Sequence, residues 1–175
     1  MVLFNKKNFI FLLNIGLILL FLFVNFGCNY SFTGASVPDH IKSIAIPPVQ
    51  NRSGSGEPTL ELFTDELIQK FIEDNTLQVT EKVNADALLE CTILSMNEAP
   101  AVISGDEKVP LIRLTLNVKV IYKDLVKKKT IFEKNFSNYF DYDNSTDITQ
   151  ARTDAINIAM DKIYEDILLS VVSNW

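Results

Sequence analysis

Apolar and polar residues alternate most regularly along the chain between Leu111 and Tyr122. Arg113, Thr115, Asn117 and Lys119 separate the apolar positions, which are Ile112, Leu114, Leu116, Val118, Val120 and Tyr122. A period of two predicts a β-strand with one face in the core and the other in water. The charged stretch Asp124 to Lys129 predicts a turn, and Thr130 to Tyr139 is the expected hairpin partner. Lys134 interrupts the Phe132/Phe136 face, and this pattern allows a bulge there.

Two other stretches repeat apolar residues at helical spacing. The first helix is expected to begin at Pro58 and to end at Asp74–Asn75, with an apolar face of Leu60, Phe63, Leu67 and Phe71. The second is expected from about Ile148 to Ser173, with Asp147 or Thr149 as its N-cap. Its apolar stripe comprises Ile156, Ala159, Met160, Ile163, Ile167 and Val171.

Shorter apolar runs predict further strands at Ile41–Ile46, Thr76–Thr80 and Asp86–Met96, while the polar segment Asn51–Gly56 is expected to be a flexible loop. The segment Asn97 to Val109 contains a proline, a glycine and three acidic residues, which is typical of a loop. The two predicted helices and the long strand each have one apolar face, which is expected to be buried. The expected fold is therefore α+β, a two-layer sandwich with both amphipathic helices on one face of a four- to five-stranded mixed sheet.

The N-terminal stretch has the composition of a secretory leader. Lys6 and Lys7 precede a long apolar run, which ends at Gly27-Cys28. This pattern is similar to that of bacterial lipoprotein precursors, whose cysteine is acylated after cleavage. It predicts a signal peptide at residues 1–27, a lipidated tether at 28–40 beginning with Cys28, and a single domain at 41–175.

An uncleaved membrane anchor is the alternative, because a spanning helix needs roughly 17–25 apolar residues. Asn14, Gly16 and Asn25 interrupt the run and no basic residue follows it, which favours the lipoprotein. Asn25 and Phe26 depart from the usual residues before the cysteine of such precursors.

Charge and cysteine content narrow the function further. Removing the leader removes two lysines, so the mature charge is 14 minus 22, or −8. An acidic body argues against a nucleic-acid partner. Cys91 shares a predicted face with Leu89 and Ile93, which predicts an inert core thiol. A Cys28–Cys91 disulfide is the alternative, and it would require that Cys28 is not acylated.

The chain offers no constellation typical of catalysis. Its single histidine, His40, is expected in a surface loop of the tether, and the sequence lacks a zinc-ligand set, a phosphate-binding loop and a nucleophile elbow. We predict a protein that is not an enzyme and that has no metal and no cofactor.

Two groups of side chains are candidates for a functional surface. Arg113, Lys119 and Lys134 are predicted on the exposed face of the sheet, where cations could meet an anionic lipid head group; an ordinary solvated face is the alternative. The aromatic residues Phe136, Tyr139, Phe140 and Tyr142 could anchor a protein interface or pack in the core.

Several segments together resemble the lipopolysaccharide-assembly lipoprotein family LptE. They are Cys28-Asn-Tyr-Ser-Phe-Thr-Gly-Ala-Ser-Val-Pro38, Ile41-Lys-Ser-Ile-Ala-Ile46, Pro58-Thr-Leu60, Leu111-Ile-Arg-Leu-Thr-Leu-Asn-Val-Lys-Val120 and Ser173-Asn-Trp175. The resemblance implies a lipid anchor in the outer membrane, a domain that faces the periplasm, and two helices against a four-stranded sheet. It implies a place inside the LptD β-barrel, where the family plugs the barrel, assists its assembly and helps to insert lipopolysaccharide. It also implies lipopolysaccharide binding through basic residues, for which Arg113 and Lys119 are candidates by strand position.

The loop Asn97 to Val109 is the expected contact with the barrel, at Val102, Ser104 and Glu107. A different exported lipoprotein is the alternative, because Ile44-Ala-Ile-Pro-Pro-Val-Gln-Asn-Arg-Ser53 resembles the opening of curli-secretion lipoproteins and of the Tol-system N-terminal domain.

Overall fold

The computed structural model describes residues 37–56, 58–101, 111–143 and 147–173. Its strands are β1 (Ser43–Ala45), β2 (Gln50–Asn51), β3 (Gln78–Val79), β4 (Ala87–Pro100), β5 (Leu111–Asp124) and β6 (Lys129–Asp143). They form one mixed sheet in the order β3-β1-β4-β5-β6, and β2 pairs with β4 beyond the end of β1. The β1 and β2 pairings are parallel, whereas β4, β5 and β6 form an antiparallel meander. The α+β sandwich is confirmed, with six strands where four to five were expected.

Two helices supply the second layer. A 3-10 helix at Pro58–Leu62 leads into α1 (Phe63–Asp74), which ends where Asn75 adopts a left-handed conformation, and α2 spans Ile148–Val172. The Asp147 side chain caps α2 by accepting a hydrogen bond from the Gln150 amide, as predicted. No helix in the described ranges combines the length and the apolar character needed to cross a membrane.

The core lies between the helices and one face of the sheet. Phe63 of α1 meets Tyr164 of α2 edge to face, with ring centroids 4.8 Å apart. Both predicted helical stripes are buried, and the alternating apolar residues of β5 from Leu114 to Tyr122 are buried with them. Cys91 is a free thiol in this core, and burial raises its pKa to about 12. The prediction of an inert thiol is confirmed.

The structure corrects the predicted boundary of β4. The strand continues to Pro100, which pairs with Ile112, so the prediction of a loop from Asn97 is wrong for residues 97–100. β2 ends opposite Ile93, and beyond that point β5 is the one described strand that pairs with β4. A proline is tolerated on an edge strand because the hydrogen bond it cannot donate is not needed there.

Two bulges set which side chains reach the core. In β4 the extra residue is Leu94, which lies between the Ile93–Val118 and Ser95–Asn117 pairs. In β6 it is Ile131, because Phe132 pairs with Tyr122 and Thr130 with Lys123. The expected bulge at Lys134 is wrong, since Lys134 pairs regularly with Val120. After the Leu94 bulge the inward positions of β4 are the even-numbered ones, from Met96 to Pro100.

Candidate functional site

The face of the sheet opposite the helices, called here the open face, carries mostly polar side chains. Its polar side chains from β4, β5 and β6 include Glu90, Thr92, Ser95, Arg113, Thr115, Asn117, Lys119, Lys123, Glu133, Ser137, Tyr139 and Asp141, and the apolar Leu88 and Ile121 lie on the same face. They project outward because their strand neighbours on both sides point into the core, as the period of two requires.

Arg113 is bound on the open face by two neighbours from β6. Its Nε and Nη2 donate to the two carboxylate oxygens of Asp141, each at 2.7 Å. Its guanidinium carbon lies 4.1 Å from the centre of the Tyr139 ring. The hydrogen bonding raises the pKa of Arg113 and lowers that of Asp141, so both groups are charged at neutral pH. A two-pronged pair of this kind fixes the direction of the guanidinium.

The other cations of the open face are also paired. Lys119 Nζ lies 2.6 Å from Glu133 Oε1, and Lys123 pairs with Glu90. Between these pairs the Asn117 side chain donates to Ser95 Oγ at 2.8 Å. Arg113 and Lys119 share the face as predicted, but six residues of strand separate them by about 20 Å. The structure therefore places them in two separate ion pairs and not in one cationic pocket.

Lys134 is not on the open face, and that prediction is wrong. It pairs with Val120, a core residue, so it lies on the helix side of β6, with its ammonium 5.0 Å from the centre of the Phe132 ring. The four aromatic candidates of β6 are also divided between the helix side and the open face of the sheet. Phe136, Phe140 and Tyr142 contact the core, whereas Tyr139 is exposed beside Arg113.

Glu98 joins three elements in a cluster that the sequence did not indicate. Its carboxylate accepts a hydrogen bond from the Tyr142 hydroxyl of β6 and one from Arg152 Nε of α2, both at 2.7 Å. Burial and the contact with Glu98 raise the pKa of Tyr142 to about 12. The sequence pattern places Glu98 in a loop, and Arg152 lies outside the apolar stripe predicted for the second helix. The bulge that turns Glu98 inward leaves no periodic signal.

His40 is attached to the sheet and does not belong to a free tether. Its Nε2 lies 2.8 Å from Oδ2 of Asp124, a carboxylate that is only 1% exposed. The second oxygen of Asp124 accepts a hydrogen bond from the Lys127 amide. Burial acts to raise the pKa of Asp124, but the hydrogen bonds from Lys127 and His40 outweigh it and lower the pKa. Val37 also packs against the core, so the expected tether joins the domain before residue 41.

The remaining predicted residues lie outside the described part of the chain. They are the acylation candidate Cys28 and the contact candidates Val102, Ser104 and Glu107. Within the described ranges, no three histidine, cysteine or carboxylate side chains are grouped as a metal site would need.

Comparison with protein families decides where the chain belongs. Residues 41–171 match the model of the family LptE, which is described as lipopolysaccharide-assembly. The chain belongs to the LptE family. The match covers nearly all of the described domain, and LptE is a non-enzymatic lipoprotein family that functions with LptD and lipopolysaccharide. Comparison with curated protein sequences gives no match.

Solved structures share the fold of this LptE-family chain at low identity. A putative neuraminyllactose-binding hemagglutinin homolog from Helicobacter pylori is 13% identical, with a TM-score of 0.56 over 81% of this chain and 89% of that one. A hypothetical protein from Chlamydia trachomatis is 13% identical, with a TM-score of 0.55 over 75% and 95%. A protein from Xanthomonas campestris is 12% identical, with a TM-score of 0.54 over 77% and 88%. At such identities the likeness concerns the fold alone.

Proposed function

We propose that this chain is an outer-membrane lipoprotein that faces the periplasm, plugs an LptD-like β-barrel and helps to assemble it. In this role it assists the insertion of lipopolysaccharide into the outer leaflet, and it acts by binding and not by catalysis. The observation that carries the proposal is the LptE family match across residues 41–171.

The open face suits a plug in a barrel lumen. The interiors of large outer-membrane barrels are polar. The open face is polar as well, and its charges are paired on the surface itself, as in Arg113–Asp141 and Lys119–Glu133. Such a surface can meet a polar wall without leaving an unpaired charge. A plug contacts its barrel over a wide area, often above about 2,000 Å² in permanent complexes.

The two ends of the sheet suggest how the plug is oriented in the barrel. The Ala101 amide donates to the Leu111 carbonyl, so β4 ends and β5 begins side by side at the end of the sheet opposite the β5–β6 turn. His40 binds Asp124 at the β5–β6 end, so the described chain begins near that end. We infer that the β5–β6 end of the domain faces the membrane and that Val102, Ser104 and Glu107 contact the barrel.

Photo-crosslinkers test this direction. Placed at Val102, Ser104 or Glu107, they should capture one large outer-membrane protein in cells. A matched crosslinker at Val126, in the β5–β6 turn, should capture it with lower yield. Equal capture at both ends would contradict the proposed direction.

Depletion of the chain tests the role itself. The barrel should then be misassembled and the outer leaflet should lose lipopolysaccharide. If the surface lipid stayed normal while a secreted fibre or another exported product disappeared, a curli-type or Tol-like role would replace this one.

Arg113 and Lys119 are the proposed contacts for lipopolysaccharide. An anionic phosphate could exchange with Asp141 or Glu133, because both pairs are partly exposed and such pairs are weak in water. Arg113→Gln with Lys119→Gln should weaken binding of purified lipopolysaccharide, whereas the control Lys82→Gln with Lys162→Gln should not. Equal binding by both double variants would remove these two residues from the proposal.

A further inference from the structure

The turn between β5 and β6 carries a concentrated positive charge on an acidic protein. It comprises residues 125–129, Leu-Val-Lys-Lys-Lys, and it is called here the lysine turn. Lys127, Lys128 and Lys129 are all exposed. The whole chain has a formal charge of −6, so this cluster opposes the overall balance.

The lysine turn also carries an exposed apolar side chain, Val126, directly before its three lysines. Lys128 adopts a left-handed backbone with φ of 52°, and Asp124 accepts a hydrogen bond from the Lys127 amide. Val126 at the tip is 55% exposed. Beside it lies a shallow hollow of about 210 Å³, lined by Lys123, Asp124, Leu125, Lys128, Lys129 and Thr130.

The negative groups near the lysine turn are either occupied or on other segments. Asp124 is 1% exposed and holds His40, and Asp86 accepts hydrogen bonds from Ser43 and the Lys42 amide. The exposed Asp39 and Asp74 lie on the segments that lead into β1 and β3. Among the described residues, Lys127, Lys128 and Lys129 form no ion pair within 4 Å, and the Lys127 side chain interacts with the buried Asp124 only through its longer-range charge. Their charge is therefore available to an external anion.

The position of the lysine turn indicates which anion that is. The His40–Asp124 contact brings the entering chain to the same corner of the sheet. Eight residues lie between Cys28 and Val37, so the two are at most roughly 30 Å apart even when the chain is fully extended. A lipid on Cys28 therefore keeps the lysine turn close to the bilayer, where the effective concentration of head groups is high.

We propose that the lysine turn is a membrane-contact site that binds anionic phospholipid head groups of the leaflet holding the anchor. The proposal rests on the lipid anchor proposed above. The phosphates of the head groups bind the three lysine ammonium groups, and Val126 enters the interface between head groups and acyl chains. A lipid anchor is a single point of attachment, whereas a second contact fixes the β5–β6 end toward the membrane.

The test uses the full acylated chain on vesicles, with an environment-sensitive fluorophore on Val126→Cys. Cys91 is buried, so the label is specific. Phosphatidylcholine vesicles are compared with vesicles that also contain phosphatidylglycerol. Emission at Val126 should shift to the blue only on the anionic vesicles, and high salt should reverse the shift because screening shortens the reach of charge. A label on Val83→Cys, which is 85% exposed on another segment, should not respond.

Substitutions distinguish an effect of the lysine turn from an effect of the total charge of the chain. Replacing Lys127, Lys128 and Lys129 by glutamine should weaken surface association about fivefold per lysine.

A control variant changes the net charge equally, with glutamine at Lys82, Lys134 and Lys162, and it should keep the shift. An equal loss in both variants, or the same Val126 emission on both vesicle types, would overturn the proposal. So would a shift that appears only when lipopolysaccharide is added, since that would assign the lysine turn to the transported lipid. Retention of the chain on neutral vesicles reports separately on the anchor, and barrel capture by the crosslinkers reports separately on the plug.

Discussion

At the scale of single residues, the two sides of β5 differ sharply in what they tolerate. Leu116 is fully buried between the sheet and the helices, whereas its neighbour Thr115 lies on the open face. The same strand therefore holds positions where a charge must be desolvated and positions where it meets water.

Leu116→Asp should remove most of the cooperative unfolding transition. A charge at this site costs several kcal/mol or must be neutralised, and a domain holds only about 5–15 kcal/mol in total. Thr115→Asp is the matched control and should cost only about 1 kcal/mol, the span of strand propensities. Thermal unfolding followed by circular dichroism measures both, and an unchanged melting temperature for Leu116→Asp would mean that the faces are reversed.

Acid should weaken the fold through carboxylates that are bound in the native state. Hydrogen bonds from the Lys42 amide and from Ser43 lower the pKa of Asp86 below its ordinary 3.8, and the pKa values of Asp124 and Asp141 are also lowered. A lowered folded pKa means that the unfolded chain takes up protons first as the pH falls. The stabilisation is therefore complete above about pH 4 and is lost as the pH falls through the folded pKa values.

Asp86→Asn tests this acid dependence, because the amide keeps an acceptor oxygen and cannot titrate. Its midpoint of denaturant unfolding should fall less between about pH 5 and about pH 3 than that of the parent chain. Asp65→Asn, at an exposed position of α1, is the control for the loss of one carboxylate. An Asp86→Asn variant with the full acid response would exclude Asp86 as a source.

At the scale of elements, the Leu94 bulge decides the inner face of the second half of β4. If Leu94 paired regularly with β5, the alternation from Ile93 would carry Ser95 and Asn97 inward. With the bulge, Glu98 points to the helices and binds Tyr142 and Arg152. Leaving Leu94 unpaired thus preserves the contact that ties β4 to β6 and α2.

Deletion of Leu94 should be tolerated, with a loss of about 1 kcal/mol or less. Leu94 is partly exposed and has no partner in the β4–β5 register, and its removal leaves Ser95 outward and Met96 inward. Deleting Asn117 in β5 is the control, because a one-residue change without a bulge reverses every later side chain. Denaturant titrations should show a folded Leu94 deletion and an unfolded Asn117 deletion. A Leu94 deletion that fails to fold would show that the bend itself is required.

At the scale of the whole molecule, the proposed attachment to the membrane rests on Cys28, which lies outside the described residues. The domain holds a single buried thiol, Cys91, so the sulfur of Cys28 is the expected site of the lipid. One acyl chain gives reversible binding and two or more give stable anchoring, at about 0.8 kcal/mol per buried methylene.

Cys28→Ser should abolish labelling by a radioactive fatty acid and release the chain from membranes. Cys91→Ala should keep the label, because its side chain is buried away from any acylating enzyme. Continued labelling of Cys28→Ser would contradict the lipoprotein assignment and favour an uncleaved anchor.

The helices, β5 and the identity of the core followed from the sequence because their signals are local. A 3.6-residue stripe or a two-residue alternation is written in neighbouring residues, and burial of the stripe from Ile156 to Val171 needs no knowledge of the partner. The family resemblance was also available from the sequence, since it rests on segments at their positions along the chain.

Contacts between distant segments were decided only by the tertiary structure. His40 meets Asp124 across 84 positions of sequence, and Arg152 meets Glu98 across 54. Hydrogen-bond register between strands decides three further features: which face of the sheet carries Lys134, which residues of β4 point inward after Leu94, and where the short β2 strand pairs. Register is a property of two strands together, because a shift by one residue exchanges the faces without changing either sequence.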